Sequence, residues 1–91
     1  MKIENLDLLV NLTWLDLSFN QIKVVEGLTN LHNLTDLSLF NNQISELGNG
    51  LSNCRKLNIL SIGRNNIAVL KTVSNSFNSI FFFFTFSLSK S

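Results

Sequence analysis

Cysteine and histidine are residue types that often serve as nucleophile and base, and each occurs once in this sequence, as Cys54 and His32. Nucleophilic catalysis would need such groups together with an orienting partner. His32 lies within "LTNLHNL", where a solvated surface position is the simpler interpretation. Cys54 takes a position that Leu31 holds in the preceding segment, which favours a small core hydrophobe over a reactive thiol. The sequence therefore predicts a protein that is not an enzyme.

Binding of a metal ion or a phosphate group is not indicated either. One histidine and one cysteine cannot form a metal site without distant carboxylates. The segment "GNG" at residues 48–50 lacks the strand, helix and spacing of a phosphate-binding loop, and an inserted turn is the better interpretation. We therefore expect no cofactor, no metal and no small-molecule substrate.

Composition narrows the class of partner. The chain has 91 residues, is 45% hydrophobic and 14% charged, and has a net charge of +1. This balance gives no electrostatic reason to expect nucleic acid or an anionic membrane as a partner. Glu4 and Asp7 interrupt the N-terminal stretch where a signal peptide would be apolar, and no run of about 18 apolar residues occurs. With a single cysteine, we expect a reducing, cytoplasmic or cytoskeletal setting.

Three stretches of the chain share the pattern L-x-x-L-x-[L/I]-x-x-N-x-I. They read "LTWLDLSFNQI", "LTDLSLFNNQI" and "LNILSIGRNNI" and begin at Leu12, Leu34 and Leu57. The spacings between these starting points are 22 and 23 residues, and every fixed position is filled in every copy. Self-similarity with a period of about 20–50 residues predicts a stack of repeated units.

Each copy predicts one coil of that stack. Both leucines of L-x-L point inward from a short strand, while the residue between them points outward. The asparagine after the strand carries donors and an acceptor, and we expect Asn20, Asn42 and Asn65 to form a ladder that bonds the backbone of their own and neighbouring coils. Apolar steps of three over residues 25–34 suit a 3₁₀ or short helical return. One coil cannot close a core, so neighbours must stack on it.

The repeated pattern resembles the leucine-rich repeat of the short SDS22-like class over about residues 3–70. The resemblance implies an α/β solenoid, a short leucine-rich repeat stack with a parallel β-sheet on the concave face and 3₁₀ or short helical segments on the convex side. Residues 1–70 are expected to form this domain, with about three repeats and an N-terminal half-repeat. The resemblance also implies a non-catalytic protein–protein interaction module.

The first two copies also look like the repeats of axonemal proteins of the dynein regulatory complex, on the strength of "KIENLDLLVNLTWLDLSFNQI" and "LTDLSLFNNQIS". That resemblance implies a truncated relative with a role in ciliary or flagellar motility, located in the axoneme and bound to protein subunits of the complex. The alternative is a phosphatase-regulatory scaffold of the SDS22-like class, which would bind a catalytic subunit through the same face.

The outward positions of the strands predict where a partner binds, since in a leucine-rich repeat they form columns across the concave face. Large apolar residues at such positions are typical anchors of protein interfaces. Phe19 and Phe40 have a second interpretation, in which they pack over the strand edge or under a neighbouring loop. The predicted partner-binding residues are Trp14, Asp16, Phe19, Asp36, Phe40, Ile59 and Arg64.

The end of the chain departs from the repeat. Residues 80–86 combine high β-propensity with no charge and no proline, which is the signature of an aggregation-prone segment. We interpret residues 71–91 as a disordered or artefactual tail, translated from a pyrimidine-rich intron that follows a splice-donor-like codon pair at Val73. An exon boundary far from that codon would contradict this hypothesis. An improvised cap or edge strand, or a membrane-surface anchor, is the alternative.

Overall fold

Three short parallel strands carry the repeat in the computed structural model, which describes residues 1–67 of the chain. They are β1 (Trp14–Asp16), β2 (Asp36–Ser38) and β3 (Ile59–Ser61). The sheet order is β1-β2-β3, so each coil adds its strand beside the previous one. The predicted parallel sheet of a solenoid-like stack is confirmed. The end of the predicted repeat domain, residues 68–70, and the predicted tail, residues 71–91, lie outside the described residues.

The frame of the repeat sets the register of the sheet. Leu15, the central residue of β1, pairs with Leu37 of β2, which pairs with Leu60 of β3. Because alternate side chains of a strand point to opposite faces, these leucines share one side of the sheet. Leu37 and Leu60 are buried there, whereas Leu15 is half-buried.

Among residues 1–67, one hydrophobic cluster fills the space between the strands and the returning chain. Burial of one leucine side chain contributes about 1.5–3 kcal/mol, so the repeated apolar positions supply the main stabilising term. In the first copy, Leu12, Leu15 and Leu17 pack against the cluster but stay partly exposed. The buried members are Ile3, Ile22, Val25, Leu28, Leu31, Leu34, Leu37, Leu39, Ile44, Leu47, Leu51, Cys54, Leu57, Leu60, Ile62 and Ile67.

The chain returns between strands through single turns. In the first return, the N–H of Leu9 donates to the Leu6 carbonyl (3.0 Å) and the N–H of Leu12 donates to the Leu9 carbonyl (3.1 Å). A 3₁₀-helix would need such a bond at each consecutive residue rather than at every third. The prediction of 3₁₀ or short helical segments is therefore wrong for residues 1–67, where the elements are strands alone. A leucine at every third position fits a series of single turns as well as it fits a helix.

Two glycines let neighbouring coils approach closely. A Cβ atom on Gly50 would lie 2.2 Å from the Val25 carbonyl oxygen, and one on Gly27 would lie 2.5 Å from the Ile3 carbonyl oxygen. Both glycines precede the first leucine of a return, so the stack requires the absence of a side chain at this position. The extra residue of the 23-residue period falls in the same turn, where Gly48 adopts a φ of +54°, and the strand register is unchanged by it.

The asparagine after a strand joins its coil to the coil before it. Asn42 Nδ2 donates to the carbonyls of Leu17 (3.1 Å) and Leu39 (2.9 Å), while its Oδ1 accepts from the N–H of Ile22 (3.1 Å). Leu17 and Ile22 belong to the first coil and Leu39 to the second. Asn65 repeats the arrangement one coil later. Each of these amides therefore satisfies backbone groups of two coils at once.

Asn20 holds the same position in the first coil but serves a smaller role. Its Nδ2 donates to the carbonyls of Leu17 (2.9 Å) and Ser18 (3.2 Å), both in its own coil. The side chain is exposed, whereas that of Asn42 is buried. The chain thus contains a natural comparison between an asparagine that shapes one turn and an asparagine that links two coils.

We expect Asn42→Ala to lower the free energy of unfolding by about 2–4 kcal/mol, because the buried N–H of Ile22 loses its partner and the carbonyls of Leu17 and Leu39 each lose one of two donors. Asn20→Ala removes the same group from an exposed turn and should lower that free energy by less than about 1 kcal/mol. Urea unfolding of both variants, followed by circular dichroism, makes the comparison. Equal losses would contradict a stabilising role for the inter-coil bonds.

Candidate functional site

The outward side chains of the three coils form one continuous surface, which we call the strand surface. Cα pairing across the sheet sets its first two rows. Backbone bonds beyond the strands continue the ladder, for example from the N–H of Phe19 to the Phe40 carbonyl (2.9 Å), and so align the next two rows. The predicted partner-binding residues are thus brought into neighbouring rows. The rows are Trp14, Asp36 and Ile59; Asp16, Ser38 and Ser61; Ser18, Phe40 and Gly63; and Phe19, Asn41 and Arg64.

Each coil leaves the sheet through a residue in the left-handed region. The φ angles are 59° at Phe19, 62° at Asn41 and 56° at Arg64. Phenylalanine and arginine seldom adopt this conformation, which costs them about 1–2 kcal/mol. The bonds made by the asparagine that follows each of them hold the turn. The backbone conformation at Phe19, Asn41 and Arg64 therefore sets the direction in which these side chains point, whatever their type.

Apolar side chains remain in contact with solvent on the strand surface. Trp14 is 63% exposed and Ile59 40% exposed, and both belong to the first row. Phe19 is 68% exposed, yet its ring meets that of the half-buried Phe40 in an edge-to-face contact, with centroids 5.6 Å apart and planes at 65°. Such a contact contributes about 0.5–1.5 kcal/mol. Phe19 thus packs against its neighbour on one edge and still presents most of its ring to solvent.

A series of hydrogen bonds links the second and third rows. The N–H of Ser18 (2.9 Å) and its hydroxyl both donate to Asp16 Oδ1. Since the one hydroxyl proton of Ser18 is used there, the Ser38 hydroxyl donates to Ser18 Oγ, at 2.7 Å. Both bonds from Ser18 lower the pKa of Asp16, and the bond from the hydroxyl has the larger effect. Asp16 is therefore held as a carboxylate in a fixed position on the surface.

Charge is distributed unevenly over the strand surface. Asp36, beside Trp14 in the first row, accepts a hydrogen bond from the Thr35 hydroxyl (2.8 Å). Hydroxyl groups, rather than cationic side chains, are thus the side-chain partners of Asp16 and Asp36. Arg64 is exposed on the third coil. The surface can recognise a partner by apolar contact, with negative charge on the first two coils and positive charge on the third.

The first coil carries an exposed leucine, Leu8, at a position that the repeat pattern leaves unspecified. Leu8 is 90% exposed, while the equivalent residues of the next two coils are Asn30 and Asn53. Asn30 Nδ2 donates to the Asp7 carbonyl (3.2 Å), and Asn53 Nδ2 donates to the Thr29 carbonyl (3.3 Å). A leucine that replaces a repeated asparagine is the signal by which the sequence could have revealed this position.

Open clefts also occur outside the strand surface, and none of the sequence patterns singled out the residues that line them. A cleft of about 290 Å³ lies between residues 23–25 and residues 45–50. A second of about 280 Å³ includes Met1, Gln21 and Gln43. Both contain Val24, which is 56% exposed and stands outside the repeated apolar positions. An apolar residue outside the repeated positions was the sequence feature that could have drawn attention to these clefts.

The candidate nucleophile and base do not form a site. Cys54 is buried, with Sγ 3.8 Å from the Leu28 carbonyl oxygen, and burial raises the pKa of its thiol to about 11. His32 is exposed. Within residues 1–67, no three side chains of the His, Cys, Asp and Glu types form a group that could hold a metal ion. Nor does that part of the chain contain a helix of the length and hydropathy needed to cross a membrane.

We expect Cys54 to react with a thiol reagent at pH 8 about a hundredfold more slowly in the folded chain than in urea, because the thiolate is scarce and covered. The chain has one cysteine, so the label reports this thiol alone. The raised pKa also implies that stability from the neutral thiol is complete below pH 9.0 and declines as the pH rises towards about 11.

We expect the difference in the free energy of unfolding between the native chain and Cys54→Ala to narrow over this alkaline range. The subtraction cancels the titration of lysines, which both proteins share. Rapid labelling of the folded chain, or a difference that is constant with pH, would contradict a covered thiol.

The comparison with known families agrees with this architecture. Residues 10–49 match the family described as Leucine Rich repeats (2 copies). The matched range contains β1 and β2 together with Asn20 and Asn42, and β3 then extends the sheet in the same parallel sense. No curated protein matches the chain. Residues 10–49 are therefore similar to leucine-rich repeats, and repeats of that family generally mediate protein–protein interaction.

Proposed function

We propose that the strand surface binds a protein partner and that Trp14 is its main apolar anchor. The observation that carries the proposal is the large exposed fraction of this indole, which lies on β1 beside Asp36. Aromatic anchors in such settings supply much of the free energy of typical interfaces. Since the strand register holds the backbone of Trp14 in place, binding has to order only its side chain.

The surrounding residues suggest the chemistry of that partner. Trp14 and Ile59 share the first row of the strand surface. Phe40 adds an aromatic ring in the third row. Asp16 and Asp36 place two carboxylates next to this apolar area, and their hydrogen bonds from hydroxyl groups fix their orientation. We infer a partner that inserts an apolar side chain over Trp14 and presents cationic or hydrogen-bond donor groups to the first two coils.

A more specific proposal concerns the cellular setting. The stretch from Lys2 to Ile22 and the second copy resemble repeats of dynein regulatory complex subunit 3, an axonemal leucine-rich repeat protein. We propose that this chain is related to that subunit and binds other subunits of the nexin–dynein regulatory complex in a cilium or flagellum. The support for this proposal is sequence similarity across two repeats.

The alternative function is that of a phosphatase-regulatory scaffold. Its support is the short repeat length, which resembles the SDS22-like class. A catalytic subunit would then occupy the same strand surface. The two functions make different predictions about which protein is captured, and they share the prediction about which residues capture it.

We expect Trp14→Ala combined with Phe40→Ala to weaken partner capture by about thirtyfold or more, because two anchors of about 1–2 kcal/mol each are lost. The measurement is capture from an extract of ciliated cells, with the bound proteins identified by mass spectrometry. Recovery of axonemal subunits supports the first function, and recovery of a phosphatase catalytic subunit supports the second.

The matched control is Val24→Ala, which truncates an exposed apolar side chain away from the strand surface and should leave capture unchanged. Urea unfolding establishes that the double variant is folded, since Phe40 is half-buried. Undiminished capture by the folded double variant would contradict the proposed surface.

A further inference from the structure

The return between β2 and β3 contains the stretch Gly48-Asn49-Gly50, which is the only place in the sequence where glycine directly follows an asparagine. We propose that Asn49 is a site of spontaneous covalent modification, at which the side-chain amide is lost and the residue becomes aspartate or isoaspartate. Ser52 accelerates the loss, and the isoaspartate product loosens the stack. The proposal does not depend on the function assigned to the strand surface.

The reaction requires only water and the chain itself. The backbone nitrogen of Gly50 loses its proton to a base in the solvent and attacks Asn49 Cγ, so that an N–Cγ bond forms and the Cγ–Nδ2 bond breaks. Nδ2 takes up a proton and leaves as ammonia, and the product is a cyclic imide. Water then opens the imide. Opening at Cγ gives aspartate, whereas opening at the main-chain carbonyl gives isoaspartate, whose backbone runs through Cβ and Cγ.

The fold requires glycine at position 50, and glycine is also the residue that most favours this reaction. A Cβ atom on Gly50 would lie 2.2 Å from the Val25 carbonyl oxygen, so the packing of neighbouring coils excludes a larger residue. Without a side chain, the residue leaves the approach of its nitrogen to Asn49 Cγ unobstructed, and its backbone adopts more conformations. Coil packing thus places the most permissive attacking residue directly after the asparagine.

Asn49 and its turn are open to solvent. The Asn49 side chain is exposed and lies on the wall of the cleft of about 290 Å³. Among the described residues, a Cβ atom on Gly48 would meet no heavy atom within 4 Å beyond its chain neighbours. The N–H of Gly50 donates to the Leu47 carbonyl at 3.1 Å. This bond of a single exposed turn has to open before the nitrogen can attack.

Ser52 activates the peptide bond between Asn49 and Gly50. Its hydroxyl donates to the Asn49 carbonyl oxygen at 2.6 Å, and its N–H donates to the same oxygen at 3.1 Å. When the Gly50 nitrogen loses its proton, negative charge spreads to this oxygen, because the peptide group is conjugated. Donors held against an oxygen on which charge develops stabilise that state. Ser52 therefore favours formation of the attacking nitrogen anion.

The preceding coil indicates which product disturbs the stack. Glu26 stands before Gly27 as Asn49 stands before Gly50, and Gly27 makes a similar close approach to the chain before it. A carboxylate at this position is therefore compatible with the fold. Isoaspartate instead lengthens the backbone by one carbon in the turn that seats Gly50 against Val25. This product, rather than the added charge, should loosen the contact between neighbouring coils.

The first test follows the full chain by peptide mass spectrometry during incubation at mildly alkaline pH. Cleavage by trypsin after Lys23 and Arg55 gives one peptide that contains Asn49 together with asparagines followed by larger residues, namely Asn30, Asn33 and Asn53. We expect Asn49 to convert at least about tenfold faster than these three, because only its neighbour lacks a side chain. Asn49→Gln, whose longer side chain has to close a larger ring, should keep its amide.

Ser52→Ala separates the structural claim from chemistry that any such pair of residues shows. We expect this variant to convert Asn49 about threefold or more slowly than the native chain when both are folded. In urea, where the bond to the carbonyl is absent, the two rates should be equal. Ser52→Thr keeps the hydroxyl and should restore the native rate. Circular dichroism establishes that both variants are folded, as expected for an exposed position.

The second test compares the isoaspartate form, separated by chromatography, with Asn49→Asp, which carries the same charge on a normal backbone. We expect the isoaspartate form to unfold at a lower urea concentration. Conversion of Asn49 no faster than that of the three control asparagines would overturn the proposal. Equal rates for the folded native chain and Ser52→Ala would overturn the role of Ser52, and equal urea midpoints would overturn the loosening of the stack.

Discussion

The buried amide of Asn42 is the interaction on which the rest of this structure depends. Where the chain leaves the sheet, the N–H of Ile22 and the carbonyl of Leu39 are bonded to Asn42 in the buried interior, and the carbonyl of Leu17 is bonded to it at the edge. A buried backbone group without a partner is costly, so the turn can be buried only if one side chain satisfies several such groups. Asparagine does this because it combines an acceptor with two donors. The coils can therefore be held at the spacing that a parallel sheet requires.

This constraint separates structural from functional positions. The inward positions carry leucine or isoleucine in every copy, and the asparagine recurs unchanged, because every coil must satisfy the same geometry. The outward rows carry no such requirement, and they differ between copies, as in Trp14, Asp36 and Ile59. The proposed binding chemistry therefore lies in positions that the fold leaves free. The left-handed turn at Phe19 shows that the stack can impose even an unfavourable backbone conformation on these residues.

Stacking also makes the coils unequal although their sequences are alike. Leu31 is covered by the first coil, while Leu9 has no coil before it in the described structure and stays half-exposed. Asn42 links two coils, while Asn20 bonds within one. A repeat contacts only its neighbours, so the properties of each copy depend on what stands on either side of it.

The sequence by itself determined the period and, with it, the alignment of Trp14 with Asp36, because equivalent positions of successive repeats lie side by side in neighbouring coils. It did not determine the returns, since leucines three residues apart suit both a 3₁₀-helix and the single turns observed. The edge-to-face contact of Phe19 with Phe40 and the hydrogen bond from the Ser38 hydroxyl to Ser18 were decided by the tertiary structure alone. Each depends on the distance between two coils, and that distance is set by inter-coil packing and by the asparagine bonds rather than by local residue preference.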